Sequence, residues 1–338
     1  MVKIGIIGAT GNVGKQVVQQ LLQHGVPAHA LVLMASEASL GRVVAFKDPK
    51  DSYKEYAFVV HSSVTPPECA VYILATEAHI SRSLFAILPK ESVILDSSSA
   101  LRMDPQVPLL SPLMNGHLIS QDTNVYAHAN CVASPCSLAL APLRPWGIEE
   151  VVLSSYQSAS GAGWGAMQEL LAASTDHIKG NPVALPTCYP RNSAFNAFPE
   201  IGALRMDGHS EEEVKIVHEI QKILELSVPI YVTAVRVPTL RGHAVSAWVR
   251  LRDDISLDEV LDVFHNAPGL RVSGTQGYHS PQEVMGSDLV FIGRIRMPAA
   301  RRLQFWACSD NLRRGAATDL VESTMRVMSL RFLKHFQP

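Results

Sequence analysis

A Rossmann-type doubly wound parallel-sheet domain followed by an α+β domain is the fold this sequence predicts. Three observations carry the prediction. Val2–Ile7 is an apolar run that passes directly into Gly8-Ala-Thr-Gly-Asn-Val-Gly14, the strand–glycine turn–helix start of a doubly wound sheet. Short β-branched runs then recur, with helical stretches between some of them. After residue 131 the texture changes to longer β-like runs and amphipathic helices. The first domain is expected over 1–130 and 311–338, the second over 131–310.

Each element follows from its residues. Val2–Ile7 reads as a strand buried on both faces, because it does not alternate. A helix starts near Asn12, with Val13, Val17, Val18, Leu21 and Leu22 on its inner face. Further strands are expected at Ala30–Met34, Val71–Ala75, Val93–Leu95 and Val125–Ala127. In the second domain, Val151–Ser155 predicts a strand, and Met167, Leu170 and Leu171 mark a helix. A helix over Glu211–Leu226 carries Val214, Val217, Ile220, Ile223 and Leu224 inward. Ile230–Val237 and Ala244–Leu251 predict strands, Leu257–His265 a helix and Leu289–Ile295 a strand, in a mostly antiparallel sheet. Residues 181–192, rich in proline and polar groups, predict a long ordered loop or an interface arm. The last helix, Ala316–Leu330, has no sheet of its own and is expected to return to the first domain.

Composition narrows the function. The 338 residues, 47% of them hydrophobic, are enough for two cored domains, and a net charge of −2 favours neither nucleic acid nor an anionic membrane as partner. No apolar run reaches the roughly 18 residues of a membrane span. Five cysteines, an odd number without a Cys-x-x-Cys pair, argue against a disulfide framework or a metal site and fit a reducing cytoplasm.

The chemistry-bearing residues fall in separate segments. Gly8 permits the tight turn, Gly11 lets a pyrophosphate approach the backbone and Gly14 lets helix and strand pack closely. Thr10, Asn12 and Val13 complete the turn. In Ser36-Glu-Ala-Ser-Leu-Gly-Arg42, Glu37 points to NAD, whereas Ser36, Ser39 and Arg42 point to NADP; the residues leave both open. Asp96-Ser-Ser-Ser-Ala-Leu-Arg102 follows a buried strand, where α/β proteins bind ligands. Cys131 gains thiolate character if a helix begins just after it; otherwise it is a packing cysteine, as Cys136 is read to be. His243 lies seven residues beyond Arg236, so a bend at Pro238 and Gly242 must bring them together. Near a thiolate, that histidine serves as acid or base; elsewhere it is an ordinary strand-end residue. Glu212 and Lys215, three apart on a helix, read as a solvated ion pair.

Taken in order, these segments resemble the aspartate-β-semialdehyde dehydrogenase family over nearly the whole chain. The motifs are Gly8–Gly14, Asp96–Arg102, Asn130-Cys131, Tyr156-Gln-Ser-Ala-Ser-Gly-Ala-Gly163, Ala194–Pro199, Glu212 with Lys215, Arg236–His243, Gly293-Arg-Ile-Arg296 and Asp310–Ala317. The resemblance implies Cys131 as nucleophile and His243 as general acid/base, with Gln157 orienting the substrate and Asn130 supporting the site. It implies Arg236 for the substrate α-carboxylate, Glu212 for the α-ammonium, and Arg102 and Lys215 for phosphate. Ser36, Ser39, Ser97, Gly163 and Asn311 join the glycine turn along an NADP cofactor, with NAD the other choice. The implied reaction is reversible NADPH-dependent reduction of L-aspartyl-4-phosphate to L-aspartate 4-semialdehyde and inorganic phosphate through a cysteine thioester, in lysine, diaminopimelate, methionine and threonine biosynthesis. A homodimer or homotetramer in the cytoplasm is implied as well.

The sequence departs from the family at Val132-Ala-Ser134, where a hydroxyl usually follows the thiol. It departs again at Pro112-Leu-Met-Asn115, at Ala38 in the cofactor-selecting loop and at Ala75-Thr-Glu-Ala78. These departures motivate a second reading, a non-catalytic paralogue of the same fold. A third, N-acetyl-γ-glutamyl-phosphate reductase, is disfavoured because its Asn-Pro-Gly-Cys-Tyr-Pro segment is absent.

Overall fold

The computed structural model describes residues 2–51 and 53–332; Met1, Ser52 and residues 333–338 of the predicted first domain lie outside the described residues. The chain divides into two compact units, Met1–Ala129 with Gly315–Pro338, and Asn130–Arg314.

The first unit runs β1 (Ile4–Ile7), α1 (Asn12–Gln23), β2 (Leu31–Ala35), β3 (Val43–Lys47), β4 (Glu55–Val59), β5 (His61–Ser62), β6 (Val71–Leu74), α2 (Ala78–Phe85), β7 (Val93–Asp96), β8 (Leu109–Leu110), α3 (Pro112–Asn115) and β9 (Val125–His128). Seven strands form one sheet in the order β5-β2-β1-β6-β7-β9-β8, and every pair is parallel. The five predicted strands are all present. β1, β2, β6 and β7 are buried at every residue, as their unbroken apolar runs require. Strand order reverses beside β1, which pairs with β2 on one side and β6 on the other. That reversal creates a crevice at the carboxyl ends of the strands, and the glycine turn lies there.

Three features escaped the sequence pattern. β5 and β8 are two residues each, too short to show a period. The antiparallel pair β3–β4 is a separate two-stranded sheet, half-exposed, held inward by Phe46 and Phe58 in an edge-to-face contact at 5.8 Å. α1 buries Val17, Val18, Leu21 and Leu22 as predicted, in one core with Leu320, Val321, Val327 and Met328 of the closing helix Thr318–Phe332. The closing helix therefore belongs to this unit. It begins after a π-helical turn at Arg313–Ala317, two residues later than the pattern suggested.

The second unit runs α4 (Ala133–Leu140), β10 (Ile148–Gln157), α5 (Trp164–Lys179), α6 (Glu211–Leu224), β11 (Ile230–Arg236), β12 (His243–Leu251), α7 (Leu257–Asn266), β13 (Leu270–Val272), β14 (Val290–Ala299) and β15 (Arg302–Ser309). Its sheet has the order β11-β10-β12-β15-β14-β13. The three central pairs are antiparallel, as expected, but the outer pairs β10·β11 and β13·β14 are parallel, so the sheet is mixed. β11 and β12 flank β10 on opposite sides, which places the turn between them across the end of β10. β15, which the sequence pattern did not register, pairs along its length with β12. Residues 181–192 carry no helix or strand, in keeping with the predicted loop.

Candidate active site

The glycine turn is built as its residues demand. Gly8 has φ +85°, and a Cβ there would lie 2.3 Å from the Ala75 carbonyl oxygen. A Cβ on Gly14 would lie 2.2 Å from the Gly8 carbonyl oxygen, so only glycine lets helix and strand approach this closely. The Gly8 and Ala9 N–H groups both donate to the Met34 carbonyl, at 2.9 and 3.1 Å, which ties the turn to β2. α1 opens at Asn12 with Gly11 at its N-cap, no side chain capping it and no acidic residue in its first turn. Gly11 itself is exposed, and Thr10, Asn12 and Val13 are half-buried around it. An uncapped helix start beside an exposed glycine fits a pyrophosphate, because N–H donors and the positive end of the helix dipole meet there.

After β2, a 3₁₀ turn at Glu37–Ser39 carries the candidate cofactor-selecting residues. The Glu37 carboxylate accepts from the Ser62 hydroxyl, Ser36 and Ala38 are exposed, and Ser39 is buried. At the end of β7, Asp96 is fully buried and accepts from Ser81 Oγ at 2.8 Å and Ser98 Oγ at 2.7 Å. Burial pushes the Asp96 carboxyl up, against those hydrogen bonds and the Arg102 charge. Ser97 Oγ donates to the Leu74 carbonyl at 2.9 Å, and the Arg102 guanidinium donates to the Ser97 carbonyl at 2.7 Å. The serine run thus folds into a compact loop that holds Arg102.

In the second unit, the candidate thiol sits before a helix, as its proposed chemistry requires. α4 opens two residues after Cys131, and the Ser134 N–H donates to the Asn130 carbonyl at 3.0 Å. Asn130 Oδ1 accepts from the N–H groups of Val132 and Ala133, at 2.7 and 3.3 Å, and so caps the turn that carries Cys131. Cys131 is half-buried, whereas Cys136 is enclosed and burial pushes its thiol up to about 12. The packing reading of Cys136 therefore stands. A small cavity is lined by Cys131, Val132, Pro135, His243, Val245 and Cys308, among others.

The bend that the Arg236–His243 spacing demands is present. Gly242 has φ +88°, and a Cβ there would strike the Pro281 carbonyl oxygen at 2.5 Å. Asp310, fully buried, fixes this turn: it pairs with Arg241 through two bonds of 2.8 and 2.7 Å and accepts from the Gly286 N–H at 2.7 Å. Asn311 Oδ1 accepts from the Gly242 N–H at 2.8 Å. His243 and Arg236 consequently lie on either side of the end of β10, each buried. The Arg236 guanidinium donates to the Ser158 carbonyl at 2.5 Å and stands over the Tyr189 ring at 5.7 Å. Burial lowers its pKa, partly offset by Tyr189, Glu212 and Cys131. The Ser158 N–H donates to His243 Nδ1 at 3.1 Å, while His243 Nε2 is buried without a hydrogen-bond partner. Burial, then the Arg236 charge, holds His243 down to about 3, so it is neutral at pH 7.

α6 corrects the predicted Glu212–Lys215 pair. Lys215 meets Glu211, four residues back, at 3.9 Å. Glu212 instead faces inward: its Oε1 accepts from Asn130 Nδ2 at 2.9 Å and Gln157 Nε2 at 3.2 Å. The reason is helical geometry, since Ser210 and Glu213 form a capping box that fixes the first turn and Glu213 also accepts from the Ala234 N–H at 3.0 Å. One carboxylate thereby joins three candidate site residues: Glu212, Asn130 and Gln157.

Several residues at the site were not singled out from sequence. Glu219 accepts from the Asn130 N–H at 2.5 Å and is buried. It lies seven residues after Glu212, two turns along the same helix face, a spacing that could have flagged it. Ser158 and Ser160 reach Asn311 Oδ1 at 3.3 and 3.0 Å, a contact between segments about 150 residues apart that no local pattern announces. Gly163, with φ +95°, ends the same loop and opens α5.

A nucleotide turn in one unit and a thiol with a neutral imidazole in the other define the class, an oxidoreductase of the semialdehyde dehydrogenase type. Residues 3–122 match the family model described as "Semialdehyde dehydrogenase, NAD binding domain", and residues 140–314 match "Semialdehyde dehydrogenase, dimerisation domain". The chain is 35% identical over 335 residues to the aspartate-semialdehyde dehydrogenase of Rickettsia conorii, covering 94% of this chain and 95% of that one. It is 34% identical over 330 residues to that of Aquifex aeolicus, covering 95% and 96%. The fold is similar to the crystal structure of aspartate semialdehyde dehydrogenase II from Vibrio cholerae, with TM-score 0.91 and 28% identity over 98% of this chain and 99% of that one. The chain belongs to the aspartate-semialdehyde dehydrogenase family.

Proposed function

We propose that this protein catalyses the reversible NADPH-dependent conversion of L-aspartyl-4-phosphate to L-aspartate 4-semialdehyde and phosphate. The step serves lysine, diaminopimelate, methionine and threonine biosynthesis. The observation that carries the reading is one cavity lined by a half-buried thiol and a neutral histidine. The names of the relatives support the substrate, as does a Vibrio cholerae structure, 27% identical, described as complexed with ASA.

In this reading Cys131 attacks the acyl phosphate carbon and expels phosphate, leaving a thioester. Asn130 caps the turn that presents the thiol, and Gln157, anchored on Glu212, orients the acyl group. Arg236 binds the α-carboxylate, which its planar guanidinium suits. Glu212 takes the α-ammonium: its buried carboxylate is held by Asn130 and Gln157, while Lys215 turns to Glu211. Lys215 and Arg102 are each proposed as phosphate ligands. Gly8, Thr10, Gly11, Asn12, Val13 and Gly14 would hold the pyrophosphate, with Ser36, Ser39, Ser97, Gly163 and Asn311 as further cofactor contacts. The bound nicotinamide supplies or accepts hydride at the carbonyl carbon. The engagement of Glu37 with Ser62 and the neighbouring serines favour NADP over NAD. The dimerisation-domain match supports a homodimer or homotetramer, and the cysteine usage supports the cytoplasm.

The test is phosphate-dependent reduction of NADP, and separately of NAD, with L-aspartate 4-semialdehyde, using Cys131→Ala as control. Turnover is expected with NADP, dependent on phosphate and on Cys131. A folded protein that binds nucleotide yet turns over with neither cofactor would instead support the non-catalytic paralogue.

A further inference from the structure

Arg236 is a buried cation whose guanidinium is anchored through a single nitrogen. Its Nη1 donates to the Ser158 carbonyl at 2.5 Å and to the Gln157 carbonyl at 3.4 Å. Among the described residues, its Nε and Nη2 make no hydrogen bond. That is the pair of donors with which Arg241 grips the Asp310 carboxylate, at 2.8 and 2.7 Å. The Arg236 backbone is fixed firmly. It lies opposite Gln157 at the end of β11, and it exchanges two backbone bonds with Phe198, at 2.9 and 3.2 Å. A guanidinium held through one nitrogen can still tilt about that bond. To offer two parallel N–H donors to a carboxylate, its plane must be set as well.

An aromatic ring sits where it can set that plane. Tyr189 is buried, and the guanidinium carbon of Arg236 stands over its ring at 5.7 Å. Burial pushes the Tyr189 phenol up to about 12, so the ring stays neutral at pH 7. The ring is itself held in place. Its hydroxyl donates to the Ala166 carbonyl of α5 at 3.3 Å, and Phe198 meets it edge to face at 6.2 Å. Tyr189 and Phe198 share one small core with Ala159, Ala166 and Leu170. Tyr189 comes from the proline-rich loop 181–192 and Phe198 from the Ala194–Pro199 motif, so both segments converge on one arginine. A π face attracts the flat side of a guanidinium and leaves its edge donors free, and the attraction is strongest away from water.

We propose that Tyr189 is the positioning residue for Arg236: its ring face sets the plane of the guanidinium, so that Nε and Nη2 form a flat two-donor edge for the α-carboxylate of the substrate. This rests on the reading of Arg236 as the α-carboxylate ligand. The consequence is specificity. An acyl substrate that carries a carboxylate gains from the aligned edge, whereas one without it gains nothing. Tyr189 acts through Arg236 and takes no part in bond making at Cys131. Its loss should therefore appear in substrate binding and leave turnover nearly unchanged.

The test varies the ring face while keeping its shape. Tyr189→Phe is compared with the same position carrying mono-, di- and trifluorinated phenylalanine, since each fluorine withdraws charge from the π face and leaves the packing nearly as it was. Tyr189→Phe should behave like the wild type, because only the bond to Ala166 is lost. Across the fluorinated series, KM for L-aspartate 4-semialdehyde should climb stepwise to about tenfold, with kcat held within about twofold. Isothermal titration of the semialdehyde into the same variants built on Cys131→Ala should give the same order of Kd without turnover. A ring that only filled space would give no trend with fluorine. A flat series, or a fall in kcat at constant KM, overturns the proposal. Arg236→Leu keeps the two failures apart. If it raises KM and Kd while the fluorinated series stays flat, the role of Tyr189 falls and the carboxylate reading of Arg236 stands. If it leaves both at their wild-type values, the carboxylate reading fails and the proposal goes with it.

Discussion

The glycine turn and the thiol cavity meet similar demands by opposite means. In the first unit, the candidate site is backbone. Seven consecutive residues, Gly8–Gly14, form the turn, and its geometry depends on side chains being absent. In the second unit, the surface is side chains drawn from five separated segments: Asn130-Cys131, Gln157-Ser158, Glu212, Arg236–His243 and Asp310-Asn311. A backbone site tolerates many side chains but no added carbon. A side-chain site tolerates small shifts but depends on which atom of each group is donor and which is acceptor. The two should therefore fail in different ways.

Gly14→Ala is expected to produce the larger failure. Its new Cβ would sit 2.2 Å from the Gly8 carbonyl oxygen, a backbone atom that cannot rotate away. Overpacking of this kind costs about 1–3 kcal/mol. The shifted turn should also weaken nucleotide binding by about a hundredfold, equivalent to roughly 2.7 kcal/mol. Isothermal titration with NADP measures the loss, and the alkylation rate of Cys131 reports on the second unit. If nucleotide affinity is retained, the turn is a packing device and the comparison loses one side.

The same contrast explains what the sequence made legible. The glycine turn could be read because it is contiguous and follows a strand whose apolar run is unbroken. Arg236 and His243 could be located, and the need for a bend between them could be stated, because Pro238 and Gly242 mark where a chain turns. The inward turn of Glu212 could not be read from its spacing to Lys215. Nothing in Glu211-Glu-Glu213 says which carboxylate faces the core until the Ser210–Glu213 capping box fixes the helix phase. The contact between the Ser158 N–H and His243 Nδ1 was out of reach for a stronger reason. It joins residues 85 apart in sequence. β15 was legible but missed: Leu303, Phe305 and Ala307 alternate with the less buried Arg302, Gln304 and Trp306, the period of a half-buried strand.

Arg236→Lys probes the side-chain site at intermediate cost. Arg236, proposed to bind the substrate α-carboxylate, bonds the Ser158 carbonyl and stacks over Tyr189. Lysine keeps the charge but loses the planar fork that matches a carboxylate. KM for the semialdehyde should rise about tenfold to a hundredfold, roughly 1.4–2.7 kcal/mol, with kcat changed much less. A fall in kcat at unchanged KM would show that Arg236 acts on the reacting carbon and not on the α-carboxylate. The site would then be more tightly knit around the thiol than proposed.

Ala38→Arg returns to the first unit and should have the smallest effect, because it adds one contact on an exposed turn and removes none. Ala38 lies in the 3₁₀ turn Glu37–Ser39, solvent-exposed, next to a carboxylate already engaged by Ser62. A guanidinium there can meet a ribose 2′-phosphate, which NADP has and NAD lacks. Long exposed side chains surrender rotamer entropy and are screened by salt, so the gain should be about 1 kcal/mol. The ratio of kcat/KM for NADP over NAD should accordingly rise about fivefold, and the rise should shrink at higher ionic strength. A ratio that does not move would mean that the 2′-phosphate lies elsewhere on the crevice. In that case selectivity would have to come from the serines already present, Ser36 and Ser39, whose hydroxyls are insensitive to salt. Measuring the same ratio in Ser36→Ala would then separate charge from hydrogen bonding as the basis of cofactor choice.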